Sequence, residues 1–281
     1  MMRKIRKILS WISNNPSLFV LHLFLQVKKL MPLPKLPVVK KINGVLFEFD
    51  FAYYSALKSM YLGSYEVDMV EAMKKLLKKG DIFIDVGANI GYISAIAAGF
   101  VGTIGQVHSF EPVPEYFHKL EKIAAMNPEH KFILNQSSLG EDSGRAVIRL
   151  SNDENIGWNT MVFLSRKEKG SRGEIEVPIR RLDGYIKEKT LDKVALIKID
   201  VEGFEFPVLK GLSGYLENTD YFPYIICEVN PFACSLMHYS LDDLEIYMKK
   251  YNYEARSLLN TNIKIDICSI KETTDVVFLR V

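Results

Sequence analysis

Asp85-Val86-Gly87-Ala88-Asn89-Ile90-Gly91, entered from the apolar run Ile82-Phe83-Ile84, is the stretch that decides the fold. A short run rich in β-branched and aromatic residues reads as a buried strand. Gly87 and Gly91 then permit backbone conformations closed to other residues. Tyr92-Ile93-Ser94-Ala95-Ile96-Ala97-Ala98 follows as an apolar helix former. Upstream, Asp68 to Lys79 has helical apolar spacing and stops at Gly80. Downstream the alternation continues, with strands expected at Val107-His108-Ser109-Phe110, Phe132-Ile133-Leu134, Val194 to Ile199 and Tyr224 to Val229. Helices are expected from Pro114 to Met126, around Phe206 to Leu216, and from a capping box at Ser240 and Asp243 to about Tyr251. Two last strands fall near Ala255 to Leu258 and Val276 to Val281. Strands alternating with helices predict an α/β fold, a Rossmann-like, mostly parallel sheet with helices on both faces. The polar region 140–192 contains alternating pieces at Ala146 to Leu150 and Ile175 to Ile179, expected to form an antiparallel flap inserted in the same domain.

The chain has 281 residues, 48% of them hydrophobic and 25% charged, ordinary values for a folded globular protein. A net charge of +2 argues against a nucleic-acid binder. Cys227, Cys234 and Cys268 form no C-x-x-C pair, which fits a reducing cytoplasm and buried thiols. Nine bases precede the first acid, Glu48, and flank the apolar run Leu18 to Leu25. That run is shorter than the roughly 20 apolar residues a membrane span needs, and no small-residue cleavage site follows it. Two readings stand: a helix packed on the main domain, or a basic amphipathic helix giving peripheral membrane contact through residues 1–30. Met31-Pro32-Leu33-Pro34-Lys35-Leu36-Pro37 breaks any helix. The expected organisation is an arm over residues 1–40 and one domain over 41–281.

In open α/β sheets ligands bind beyond the carboxyl ends of the strands. The dinucleotide fingerprint G-x-G-x-x-G is broken at Asn89. A carboxylate at the strand end, Asp85, disfavours a pyrophosphate and suits an ammonium or sulfonium. Glu111, 20 residues beyond Gly91, stands where a carboxylate can accept both hydroxyls of a ribose. Together they predict a nucleoside ligand with a cationic end. Asp200, Glu202 and Glu205 put three acids within six residues at the fourth strand, a set able to position an acceptor, act as base or bind a divalent cation. No His, Asp and Glu spacing demands a metal. Glu205 reads as a solvated helix residue, and Glu202 as either a site residue or a partner of a helix N-terminus. Glu228 and Asn230 end the fifth strand, within reach of an acceptor pocket; His108 and His118 read as structural, and His238 as a candidate base. A nucleotide-binding or dinucleotide-binding enzyme and a non-catalytic membrane-associated module stay open beside the nucleoside reading.

Gly80 to Gly91, Phe110-Glu111-Pro112-Val113-Pro114 and Ile197 to Glu205, with Tyr65-Glu66, Arg181-Leu182-Asp183 and Cys227-Glu228-Val229, closely resemble the FkbM family of class I methyltransferases. The resemblance covers roughly residues 60–230. It implies a seven-stranded sheet, S-adenosyl-L-methionine as methyl donor, and O-methylation of a hydroxyl on a sugar or other small molecule. Carried over, Asp85, Gly87 and Asn89 surround the methionine part, with Ala88 and Gly91 in the same turn. Glu111 with Pro112 holds the ribose, Ser138 and Leu139 lie near adenine, and Glu66 faces the cofactor. Apart from the resemblance, Asp200 ends the fourth strand beside the first and is expected to face the methyl group, with Glu202 as the second candidate catalytic residue. The match departs at Trp158-Asn159-Thr160, on the substrate side.

Overall fold

The computed structural model describes residues 37–51, 56–150 and 173–281. The Leu18 to Leu25 run and Trp158-Asn159-Thr160 lie outside the described residues. The central sheet contains β3 (Ile82–Val86), β4 (Gln106–Phe110), β5 (Lys131–Asn135), β9 (Val194–Ile199), β10 (Tyr224–Val229), β11 (Tyr253–Ser257) and β12 (Thr274–Arg280). Their order is β11-β12-β10-β9-β3-β4-β5, and only β12 runs antiparallel to its neighbours among these seven. Strand order reverses between β3 and β9, so the switch point lies at the glycine turn that follows β3. Every residue of β9 is buried, as a central parallel strand covered on both faces requires.

On one face, α2 (Val67–Leu76), α3 (Tyr92–Val101) and α4 (Pro114–Met126) bury Met73, Ile93, Ile96 and Ile123 against Phe83. On the other, α5 (Leu182–Glu188), α6 (Glu205–Lys210), α7 (Ser213–Asn218) and α9 (Leu241–Lys250) bury Tyr185, Leu209, Leu216 and Met248 against Ile84 and Ile197. The helix expected over Phe206 to Leu216 is thus two. Gly211 sits between them, where an added Cβ would come within 2.1 Å of the Gly140 carbonyl oxygen. Two short helices, α1 (Leu57–Leu62) and α8 (Pro231–Leu236), complete the described set. The capping box that opens α9 joins Ser240 and Asp243.

The sequence reading missed a hairpin, β1 (Val38–Ile42) and β2 (Val45–Phe49), which crosses the expected boundary at residue 40. Its two-residue turn is Asn43-Gly44, with φ of 47° and 93°, the left-handed pair that tight hairpins prefer. Asn127, fully buried, clasps it: Leu46 N–H donates to Asn127 Oδ1 at 2.7 Å and Asn127 Nδ2 donates back to Leu46 O at 2.9 Å. Outside the central sheet, β6 (Ser138–Leu139), β7 (Gly144–Leu150) and β8 (Gly173–Arg180) form a second sheet, with β7 and β8 antiparallel over seven paired residues.

His108 is buried with Nδ1 2.7 Å from Tyr185 Oη, and burial lowers its pKa to about 4. His118, read from sequence as a core residue, is instead exposed on α4 beside Glu121, because it falls on that helix's polar face. Cys227 and Cys234 are buried, whereas Cys268 is half-buried and donates to Asp242 Oδ1 at 3.0 Å. Among the described residues no helix is long and apolar enough to cross a membrane.

Candidate active site

The turn after β3 is shaped by contacts that a side chain would prevent. Gly87 has φ +76°, and a Cβ built on it would meet the Asp200 carbonyl oxygen at 2.0 Å. Gly87 N–H and Ala88 N–H both donate to Phe110 O, at 3.1 and 2.9 Å, which binds the turn to the end of β4. Asn89 then adopts φ 51°, and Gly91 (φ +84°) delivers the chain into α3. Glu111, 5% exposed, reaches over this turn. Its Oε2 accepts Asn89 N–H and its Oε1 accepts Val113 N–H, both at 2.8 Å. Burial pushes the Glu111 carboxyl up to about 7 against the pull of those two N–H groups.

A cavity of about 290 Å³ opens at the switch point, close to the lower end of the range for ligand pockets, about 300–1,000 Å³. Of the residues expected in the site, Glu66, Gly87, Ala88, Asn89, Glu111, Pro112, Ser138, Leu139, Asp200 and Glu202 line it. Asp85 and Gly91 do not. The expectation that the Asp85 carboxylate itself meets a cationic ligand is therefore revised. Asp85 is 0% exposed, its Oδ2 accepts from Ser94 Oγ at 2.6 Å, and its Oδ1 lies 3.4 Å from Lys198 Nζ. Its charge is spent inside the protein, one layer beneath the cavity wall. Gly91 also stands behind the wall, against Leu120 and Ile123 of α4.

Strand register assembles the acids. β9 faces β3 with Lys198 beside Asp85, and β10 with Ile226 beside Lys198. Alternation along each strand then sets Asp200 and Glu228 on the same face, one step closer to the carboxyl edge. Asp275 of β12 pairs with Glu228 in the same row. Glu66 and Glu202 join from the loops, both in left-handed backbone conformations with φ of 49° and 53°. Such strained positions cluster at functional sites. Burial, reinforced by neighbouring carboxylates, pushes Glu66 up to about 7, Glu202 to about 8 and Glu228 to about 9.

Glu205 departs from its reading as a solvated residue. It is 4% exposed, and its Oε1 accepts N–H from Val201 and Gly203, each at 3.0 Å, closing the loop that presents Glu202. Lys198, Ser137 and Tyr65, which carry no expected role from sequence, line the cavity; Glu228, expected within reach of the acceptor pocket, lines it too, and Asn230 does not. The hydroxyl of Ser137 and Oε2 of Glu228 are buried there without a hydrogen-bond partner in the described structure, as expected of groups that wait for a ligand. His238 is not part of the wall. Among the described residues no group of three or more His, Cys, Asp and Glu is placed to hold a metal ion.

Comparison with known proteins gives a consistent picture. The model of the methyltransferase FkbM domain matches residues 85–255. The hexuronic acid methyltransferase AglP of Haloferax volcanii is 22% identical over 194 residues, covering 69% of this chain and 74% of that protein. The methyltransferase sdnD of Sordaria araneosa is 24% identical over 162 residues, 48% of this chain and 62% of that protein. Among solved structures, an rRNA methylase of Clostridium thermocellum aligns with a TM-score of 0.45 at 12% identity, covering 74% of this chain and 90% of that one. Fibrillarin of Aeropyrum pernix, solved with bound S-adenosyl-L-methionine, aligns with a TM-score of 0.38 at 10% identity, covering 90% and 87%.

Proposed function

We infer, for a chain that belongs to the FkbM methyltransferase family and takes its methyl group from S-adenosyl-L-methionine, that it methylates a hydroxyl on a sugar or other small molecule. The observation that carries this reading is the row of carboxyls, Asp200 and Glu228 with Glu202 beside them, lining the cavity from the β9–β10 side of the switch point while Glu111 and Ser137 line it from the β4–β5 side. An alcohol must lose a proton as it attacks, and a positioned carboxylate takes it. A relative named for a hexuronic acid is consistent with a sugar-like acceptor.

The residues present fit the donor. The missing side chain of Gly87 lets the turn pack against the Asp200 carbonyl, and Ala88 and Asn89 line the cavity beside it. Glu111 offers its remaining lone pairs to the ribose hydroxyls. Ser137, Ser138 and Leu139 flank the adenine, with the unpartnered Ser137 hydroxyl as a hydrogen-bonding group. Glu66 lines the cavity within electrostatic reach of Asp275 and Asp200. When bound, the donor supplies a methyl group on a sulfonium, whose carbon–sulfur bond breaks with the electron pair left on sulfur. Asp200 receives the acceptor proton, and Glu202 holds the acceptor in line, since collinear placement accounts for much of the rate in such displacements.

The test is to incubate the full chain with methyl-labelled S-adenosyl-L-methionine and a small-molecule and glycan extract, then to treat the product with alkali. A methyl ether keeps its label, and this is the expected result. Label released as methanol would identify a carboxylate acceptor and overturn the hydroxyl reading.

A further inference from the structure

We propose that Lys198 is the positioning residue that locks the donor-binding turn to the acid at the end of β9, so that the two halves of the site keep one geometry. Its side chain is 4% exposed. Its Nζ donates to Gly87 O at 2.9 Å, and lies 3.3 Å from Asp200 Oδ2 and 3.4 Å from Asp85 Oδ1. An ammonium has three N–H donors, and here one carbonyl and two carboxylates surround it from three places: the turn accepts a hydrogen bond, while strand β3 and the end of β9 supply ion-pair partners. No two of these oxygens belong to adjacent residues, so a single group fixes the relative position of all three. Arginine's flat fork does not suit three oxygens arranged around one nitrogen.

Burial works to strip the Lys198 proton, but the Asp200 and Asp85 carboxylates outweigh it and hold the pKa above the ordinary lysine value. Asp85 Oδ1 accepts no hydrogen bond within the described structure and is compensated through this ion pair. A simpler role for Lys198, that of counter-ion to Asp85, must therefore be separated from the positioning role. Asp85 does not line the cavity, whereas Gly87 and Asp200 do. A counter-ion acts through the first of these contacts, a positioning group through the other two.

The proposal rests on the reading that the cavity binds the methyl donor. Its test is the double variant Lys198→Met with Asp85→Asn, compared with Asp85→Asn alone. Relative to the unaltered protein the double change removes one positive and one negative charge together, and relative to Asp85→Asn it removes only the lysine charge, which a sulfonium feels and the neutral product does not. It also leaves no orphaned buried carboxylate at Asp85, the usual reason for such a lysine variant to unfold. Dissociation constants for S-adenosyl-L-methionine and for its neutral demethylated product, S-adenosyl-L-homocysteine, are measured by calorimetry on full-length protein with a retained melting transition. The expected result is a loss of at least tenfold for both compounds in the double variant relative to Asp85→Asn, because a displaced turn affects the part they share. Affinities within twofold of Asp85→Asn would make Lys198 a counter-ion and overturn the proposal. A loss confined to one of the two compounds would overturn it as well, since that is the mark of charge rather than position. If the unaltered protein binds neither compound, the donor reading of the cavity fails instead, and the two failures stay distinct.

Discussion

At the scale of single residues, the proposed function assigns some groups of the cavity to the donor and others to the acceptor, and substitutions should separate them. Glu111→Gln keeps the shape but gives up the charge that strengthens hydrogen bonds. Hydrogen bonds to charged groups contribute about 1.5–3 kcal/mol, so donor affinity is expected to fall by about 10- to 100-fold in calorimetry; an unchanged constant would remove Glu111 from the ribose. Asp200→Asn is expected to lower kcat by about 10²- to 10⁴-fold, the usual range for a lost proton acceptor, with a much smaller change in donor affinity. Glu202, raised to about 8, serves as a negative partner only above that value. Its contribution therefore predicts a rate that climbs with pH through about 8, and a Glu202→Gln variant whose profile lacks that limb. The acids at strand ends were legible in the sequence because a strand, a glycine and an acid are neighbours in the chain. Lys198 was not, since its partner Gly87 lies 111 residues away and only strand register brings them together. Glu205 was misread because the N–H groups it accepts belong to a loop whose path no periodicity reveals.

At the scale of elements, the hairpin β1–β2 and the turn after β3 each depend on one residue. Asn127 satisfies both the N–H and the carbonyl of Leu46 from a position with no exposure to solvent. Asn127→Ala leaves buried backbone groups unpaired, and a loss of about 1–3 kcal/mol is expected in urea unfolding, with faster amide exchange in β2. Unchanged exchange at Leu46 would show that the clasp is not what seats the hairpin. Gly87→Ala and Gly91→Ala share a left-handed backbone, yet they should not behave alike. The first drives a Cβ into the rigid Asp200 carbonyl at 2.0 Å; the second meets the ends of Leu120 and Ile123 side chains at 2.6 and 2.7 Å, which can move. Donor binding is expected to be lost in the first and to survive, weakened, in the second. The alternating helices and strands of the sheet could be read from apolar periodicity alone. The hairpin has its signal in Asn43-Gly44 between two apolar runs, but an arm boundary at residue 40, set by the basic and Pro-rich stretch before it, cuts β1 in two.

At the scale of the whole molecule, the concentration of acids on one side of the sheet sets the response to pH. Asp275, Glu66, Glu111, Glu205, Glu202 and Glu228 have pKa values raised to about 6, 7, 7, 7, 8 and 9. Each binds its proton more readily in the folded chain than in the unfolded one. The stability they contribute is therefore complete below the unfolded carboxyl pKa and is lost as pH rises through 6 to 9. His108, lowered to about 4, acts in the opposite sense, its contribution present above about 6.5 and lost as pH falls towards 4. Between pH 6.5 and 9 the carboxyls act unopposed by it, so the Tm of the ligand-free protein is expected to fall across that window. Saturation with the cationic donor should raise Tm by more at pH 9 than at pH 6.5. Calorimetric scans decide this, and a Tm that climbs across the window would contradict it. The fold class was legible at this scale because strand order follows from alternation, whereas the meeting of acids from α2, β9, β10 and β12 follows only from register.

The free thiols described with the fold give the molecule a built-in clock. Burial raises the Cys227 and Cys234 pKa values, and Asp242, followed by burial, pushes Cys268 up to about 12. A thiol reacts as its thiolate, so the intact protein should be nearly silent to iodoacetamide at neutral pH. Alkylation of Cys227 then records the moments when β10 is exposed, and its slowing by the bound methyl donor measures, in hours, how firmly the ligand holds the sheet closed.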